Sequence, residues 1–480
     1  MKTTRRIITL VLALTMVLTL FVGCGSTQSR TPDENTVQNT PASTEASTAV
    51  ETVKKFDVLG DNLKYDPNIQ VSGGRDVTLK IWVPSAWESF YRELADQYMA
   101  YHPNVKFEWT ITSFDDHFKK VPLALQSNTG PDLFWMHNEQ NAVVLHNMEP
   151  LPESTFPMEQ LKKDFRNVES NVVDGKLYYT DMGLMTGVIF YNTDMWKAAN
   201  LTDNDIPKTW DEFRTVAQKL TQKDDKGNIT VAGFNMNNAE YIWADMMYQQ
   251  GKWLFDQSGK VAKFDSPEAL KAAQLMYDLY NKDHVGDGLQ PKSEEAFANQ
   301  KAAMIYCWGW ASNYFKTNFK DLHYSAFTLP VFDTNNIPSY GRTNGDVSLG
   351  VSKNSTADAK DAALNYVQFQ FCNNDMLTKY DVFDGMAPSK ISLDSRPEIQ
   401  EEPVLKTETA IVSKVVWPGA VPGSYFAGIQ KYIGQSILVN KTDPAKALKE
   451  AEQMVNKDLA GANFTSVERK YANASAMNNE

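Results

Sequence analysis

The chain has 480 residues, a formal net charge of −12 at neutral pH and three cysteines. An acidic body of this kind argues against nucleic acid and anionic lipid surfaces as partners, since both are polyanions. Its length exceeds one ordinary hydrophobic core and predicts two lobes.

Lys2, Arg5 and Arg6 precede the uncharged apolar run ITLVLALTMVLTLFVG. This layout predicts an export signal over residues 1–23, because about sixteen apolar residues fall short of the roughly twenty that span a bilayer. The run ends at Gly23-Cys24, which resembles a bacterial lipobox, with Phe21 where that pattern carries Leu. Cleavage before Cys24 and diacylation of its thiol are expected, anchoring the protein to the outer face of the cytoplasmic membrane. Residues 24–75, rich in Ser, Thr, Asn and Pro, are expected to be a flexible tether. Cys307 and Cys372 are expected to be buried free thiols, since nothing in their spacing requires a bridge.

Val77, Leu79, Ile81 and Val83 alternate along one face and predict a strand. Phe90, Leu94, Tyr98 and Tyr101 then recur at helical spacing until HPN. A second strand follows at Val105–Ile111, and a helix carrying Phe114, Phe118, Val121 and Leu125 with Pro122 inside it. GPDLFWM closes a strand–helix–strand–helix–strand series, which predicts a mostly parallel sheet flanked by helices. Ligands of such sheets sit beyond the carboxyl ends of the strands, here at 82–89, 112–116 and 135–140.

After a DGKLYY hairpin, GVIFYN reads as a buried strand. Thr209 and Glu212 form the capping-box pattern of a helix, and Ser266-Pro267 opens another. AAMIYC and DVSLGVSK read as strands, DAKDAALNYVQFQFCN as a helix. Two further helices, carrying Phe426–Ile437 and Leu448–Val455, close the body.

Enzyme motifs are absent: the chain lacks GxSxG, HExxH, CxxC, GxGxxG and a P-loop, and its six histidines show no metal-ligand spacing. DDKGN and DQSGK read as hairpin turns, since neither continues into a calcium loop. No cofactor or catalytic group is expected. The aromatic residues stand out instead. Trp82, Trp87, Trp135, Trp243, Trp308, Trp310 and Tyr425 fall at strand ends, helix starts or loops beside short polar residues. Such a surface suits a sugar, whose C–H face packs on a ring while amides and carboxylates meet its hydroxyls.

GPDLFWMHN, DGKLYY, GVIFYNTDMW, IPKTWDEF, AFANQKAAMIYCWGW, LGVSKNS and DPAKALKEAEQMVNKDL follow one another in an order that resembles the extracellular solute-binding proteins of ABC importers, in the group that includes the maltose-binding protein. The resemblance spans roughly residues 76 to 460. It implies an α/β, two-lobed type II periplasmic-binding-protein-like fold with two mixed, mostly parallel sheets. Residues 76–186 and 348–387 would form one lobe, and 187–347 and 388–465 the other. Three crossings are expected near Gly183–Val188, Asp346–Leu349 and Met386–Ser389, where a hinge would close the lobes on ligand.

By the same resemblance Trp135, Tyr241 (one residue out of register, with Trp243 beside it), Trp310 and Tyr425 match ring positions that line the sugar site. Trp310 takes the ligand face, and Trp308 is left as packing or a second wall. Asn138 and Glu139 stand where the maltose binder has an acidic–basic pair, and Ala86-Trp87 replace another charged pair, so a different sugar is implied. Glu88, Asp115, Asp116, Asn138, Glu139, Asp181 and Asp346 are the candidate polar contacts, with Arg342 as the one arginine to watch. The expected function is capture of a carbohydrate by a monomeric, lipid-anchored subunit that hands it to membrane permease subunits. A polyamine, sugar acid or sugar phosphate in the same fold is the alternative, and an anchored glycan-degrading enzyme a lesser one.

Overall fold

A computed structural model describes residues 55–477. The expected export signal, Cys24 and the tether up to residue 54 lie outside the described residues.

Two sheets organise the body. In the first, strand Val77–Pro84 pairs in parallel with Val105–Thr112, in register from Val77 opposite Val105 to Pro84 opposite Thr112. On its other side it pairs with Leu133–Phe134, to which Gly350–Val351 adds an antiparallel edge. The alternation works as expected: Leu79, Ile81 and Val83 are fully buried, while Thr78 and Lys80 face out. Helices Glu88–Tyr101, Phe114–Gln126 and Ala357–Cys372 pack on this sheet. Ser113 starts the second of them by accepting a hydrogen bond from Asp116 N.

The second sheet is built around the ten-residue strand Gly183–Asn192, flanked antiparallel by Met304–Trp308, Tyr324–Thr328 and Gly341–Asn344. Val415–Val416 extends it beside Gly341–Asn344. Two of its helices start by clear side-chain caps. Thr209 Oγ1 accepts from Glu212 N at 3.3 Å while the Glu212 carboxylate accepts from Thr209 N at 3.0 Å, a device that contributes about 1 kcal/mol. Ser266 caps Pro267–Asn281 more simply, its Oγ accepting from Ala269 N at 3.1 Å. Each sheet has its own apolar core, one gathered from residues such as Leu79, Tyr98 and Tyr366, the other from Phe213, Trp243 and Ile433.

The three expected crossing segments lie side by side. Met182 N donates to Asp346 O at 2.9 Å and Ser389 N to Met182 O at 3.3 Å. Ala387 pairs with Leu184, and Asn344 with Met185. Behind them the buried Glu408 carboxylate accepts from Thr186 N and Gly309 N, each at 3.1 Å. One carboxylate thus ties the long strand to the turn after Met304–Trp308.

The fold departs from expectation at both edges. The tether cannot reach residue 75, because Leu63, Tyr65 and Val71 are buried in the first core. Leu63 N also donates to Asp164 Oδ2 at 2.8 Å, and Tyr65 Oη lies 2.5 Å from His102 Nε2. A PNIQ-type polar run concealed these apolar anchors. At the other end the body does not stop at 465. Glu468, Tyr471 and Met477 are buried, and Glu468 accepts from Tyr248 Oη and from the backbone of Leu254 and Phe255. From there Lys470 Nζ reaches Val172 O, beside the first sheet's core, and Asn473 Nδ2 returns to Pro338 O. DVSLGVSK is mostly extended connection, with only Gly350–Val351 laddered. Cys307 and Cys372 are both buried and free.

Candidate functional site

Strand Met304–Trp308 ends with Trp308, and Gly341–Asn344 runs beside the long strand that both share. Helix Ile242–Gln249 lies across Gly341–Asn344, with Tyr241 at its start. These elements, together with the loop after Val415–Val416 and helix Gly423–Ile429, enclose a cavity of about 130 Å³. Tyr241, Trp308, Trp417, Tyr425 and Phe426 form its aromatic wall, and Glu139, Arg342, Thr343 and Asn344 supply polar groups. Glu139 comes from the first sheet's side, and Asn344 Nδ2 donates to its Oε1 at 3.2 Å, so the cavity lies between the two halves. A second cavity of about 520 Å³ shares Trp417 and Gly419 and continues between Tyr178 and Phe464.

Arg342 is the centre of the small cavity's electrostatics. Its guanidinium carbon lies 5.4 Å from the ring centres of both Tyr241 and Trp308. Its backbone N and Nε both donate to Asp245 Oδ1, at 2.7 and 3.1 Å, while Tyr306 Oη donates to Asp245 Oδ2. Burial works against the Arg342 charge, but Asp245 and Tyr306 beside it hold the guanidinium protonated. Burial also raises the Asp245 carboxyl, against the pull of Arg342 and the donors it accepts. Nη2 of Arg342 and the Tyr425 hydroxyl are buried and have no hydrogen-bond partner among the described residues.

The candidates read from sequence separate into three groups. Tyr241, Tyr425 and Glu139 line this cavity. Trp135 and Trp87 stack on one another at 4.6 Å and are 0% and 9% exposed, with Phe114 at 5.7 Å from Trp135. They are packed as core, and Trp82 is half-buried over Phe134 and Val121. Trp243 is corrected outright: it is 0% exposed, its Nε1 donates to Ala269 O, and Phe264 packs edge-on against it. Helix Ile242–Gln249 buries every residue, so a position two beyond Tyr241 turns into the core.

The acids also divide. Asn138 is buried with Oδ1 unpartnered. Asp346 accepts from Tyr380 Oη and is pushed well up by burial, with Asp384 beside it. Asp181 is buried against Asn171 and raised to about 7 by burial. Both are crossing residues rather than cavity walls. Asp115 is exposed, Asp116 pairs with Lys120 and Glu88 with Arg92.

The tryptophan pair of CWGW separates, with Trp308 on the second-wall reading. Trp308 lines the cavity, whereas Trp310 lies outside its lining, 40% exposed and next to Tyr314. Gly309 has helical dihedrals and starts helix Trp310–Asn318. Period two is therefore lost, and the two rings part. Trp417 and Phe426 were missed. Trp417 follows a strand and precedes Pro-Gly, the same strand-end signal that singled out the other rings.

The bacterial extracellular solute-binding protein family matches residues 85–371. A putative binding protein of Brucella abortus (strain 2308) is 22% identical over 379 residues, 75% of this chain and 88% of its own. The arabinooligosaccharide-binding protein of Bacillus subtilis (strain 168) is 26% identical over 286 residues, 57% of this chain and 63% of its own. Among solved structures, the cyclic alpha-maltosyl-1,6-maltose binding protein of Arthrobacter globiformis superimposes with a TM-score of 0.68 at 17% identity, covering 81% of this chain and all of that one. The fold is the two-lobed type II periplasmic-binding-protein-like one. The chain belongs to the bacterial extracellular solute-binding protein family and works outside the cytoplasm.

Proposed function

We propose that this protein captures a carbohydrate between its halves and delivers it to the permease subunits of an ABC importer, anchored through a lipid on Cys24. The observation that carries the reading is the interlobe cavity, where five aromatic residues face Glu139, Arg342, Thr343 and Asn344. Rigid rings beside fixed donors and acceptors suit a ring with an apolar face and a hydroxylated rim. Relatives named for arabinooligosaccharide and cyclic maltosyl-maltose binding support the same class. The adjoining 520 Å³ cavity leaves room for an oligosaccharide rather than a single ring. A polyamine is disfavoured, because the Arg342 guanidinium already lies over Tyr241 and Trp308, where an organic cation would stack. The crossing segments serve as the hinge, and closure on ligand forms the surface that the permease recognises. No covalent step is assigned to any residue.

The test is a thermal-shift and calorimetric screen of the protein against arabinotriose, maltotriose, mannobiose, spermidine and glycerol 3-phosphate. Ligand at a hundred times its dissociation constant stabilises by about 2.7 kcal/mol. A saccharide that raises the midpoint and is recovered intact supports the reading. Stabilisation by spermidine or the phosphate with none by any saccharide sinks it. Palmitate labelling that is lost on Cys24→Ala tests the anchor.

A further inference from the structure

Two buried polar groups on the cavity are left over by the fold. Arg342 is 6% exposed and Tyr425 0% exposed, yet neither Nη2 nor the hydroxyl has a hydrogen-bond partner among the described residues. Leaving such groups unpaired in a closed interior is costly, and nearly all buried polar atoms in native proteins are paired. Both groups belong to residues that line one cavity. Two donors beside a wall of rings await an oxygen acceptor.

The kind of acceptor follows from the charges already present. Asp245 takes three donors on its two oxygens: Arg342 N, Arg342 Nε and Tyr306 Oη. Asp245 is thereby the ion-pair partner of Arg342, at 3.1 Å from Nε, so the guanidinium has its counter-group before any ligand arrives. Glu139, which accepts from Asn344 Nδ2, adds an acidic side chain to the same cavity. An acidic sugar would bring a second negative charge against Glu139 and find no free cation to answer it. A neutral oxygen needs only the spare N–H and O–H.

We propose that Arg342 and Tyr425 form a donor pair for an uncharged hydroxyl or ring oxygen of the sugar, which makes the cleft selective for neutral over acidic saccharides. Arg342 acts as the positioning cation and Tyr425 as the second donor, while Asp245 and Tyr306 hold the guanidinium in place. The proposal rests on the carbohydrate reading and adds to it the charge class of the ligand and the residues that set it.

The experiment is isothermal calorimetry on the full protein with arabinotriose, maltotriose and mannobiose as neutral probes and trigalacturonate as the acidic probe. Tyr425→Phe and Arg342→Gln are measured alongside. Tyr425→Phe deletes a hydroxyl that has no hydrogen-bond partner among the described residues, so its unfolding midpoint stays level or rises while its affinity for the neutral probe falls about tenfold. Arg342→Gln falls further and is read together with a second variant, since it strands Asp245; the double variant Arg342→Gln, Asp245→Asn restores the balance and still binds weakly. Tighter binding of trigalacturonate than of every neutral probe overturns the charge class. Unchanged neutral-sugar affinity in Tyr425→Phe overturns the donor pair. Failure of all four saccharides to bind removes the carbohydrate reading itself, a result distinct from the other two.

Discussion

Gly309 and Gly385 meet backbone to backbone. A β-carbon on Gly309 would stand 1.8 Å from the Gly385 carbonyl oxygen, and one on Gly385 would stand 2.4 Å from that of Gly309. Gly385 also ends helix Asn374–Asp384 in the left-handed region, at φ 68°. The contact joins the turn after Met304–Trp308 to the end of a helix in the other half. Gly309→Ala is expected to cost about 3 kcal/mol, the upper part of the range for overpacking, because the nearest obstructing atom is the Gly385 backbone oxygen and the next are those of the buried Glu408 carboxylate. Chemical denaturation measures it, and a variant as stable as the parent would remove the contact from the account.

Trp308 and Trp310 are expected to differ. Trp308→Ala takes a wall from the cavity and a stacking partner from Arg342, and should weaken ligand at least about tenfold. Trp310→Ala changes an exposed ring outside that lining and should lose less. Titration of each variant by calorimetry decides between them; a larger loss at Trp310 would return the ligand face to it.

Trp135 is expected to behave as core. It is 0% exposed, stacked on Trp87 and surrounded by Phe114, Phe118 and His117. Trp135→Ala should cost about 3–5 kcal/mol in stability. Its ligand affinity, measured well below the new midpoint, should change far less than that of Trp308→Ala.

Stability should fall as pH rises from about 4 to about 7. Burial raises the carboxyls of Asp181 and Glu468 to about 7, and Asp346, Asp381 and Glu408 shift the same way. The folded protein therefore keeps protons that the unfolded chain has released, and each such group costs stability as it is forced to ionise. The unfolding midpoint should be higher near pH 5 than near pH 8. Asp181→Asn should raise the midpoint at pH 8 and flatten the slope; a midpoint that climbs with pH in the parent would contradict the assignment.

Local rules carried much of the fold. The alternation in Val77–Pro84, the reciprocal bonds of Thr209 and Glu212, and Ser266 before Pro267 are short-range devices, and a reader of the residues can recognise them. The site was less legible because it depends on which side of an element a ring falls. Trp243 and Tyr241 are two positions apart on one helix, yet one is core and the other wall. Trp308 and Trp310 are parted by a glycine whose helical dihedrals answer to a distant backbone, Gly385, which no local pattern reveals. The buried Asp245 that orients Arg342 is 97 residues away in sequence and carries no signal of its own.

The end of the chain sets a mechanical limit. Glu468 is fastened into the second core, while Tyr471 is seated beside Asp181, Ser170 and Tyr179, next to the first. Three residue steps separate them, and an extended backbone covers at most about 3.6 Å per step. The tail is thus a leash of roughly 11 Å across one side of the cleft. A cleft that gapes wider on that side has to unseat Tyr471 first, so residues 468–471 would bound the stroke of the proposed hinge as well as completing the fold.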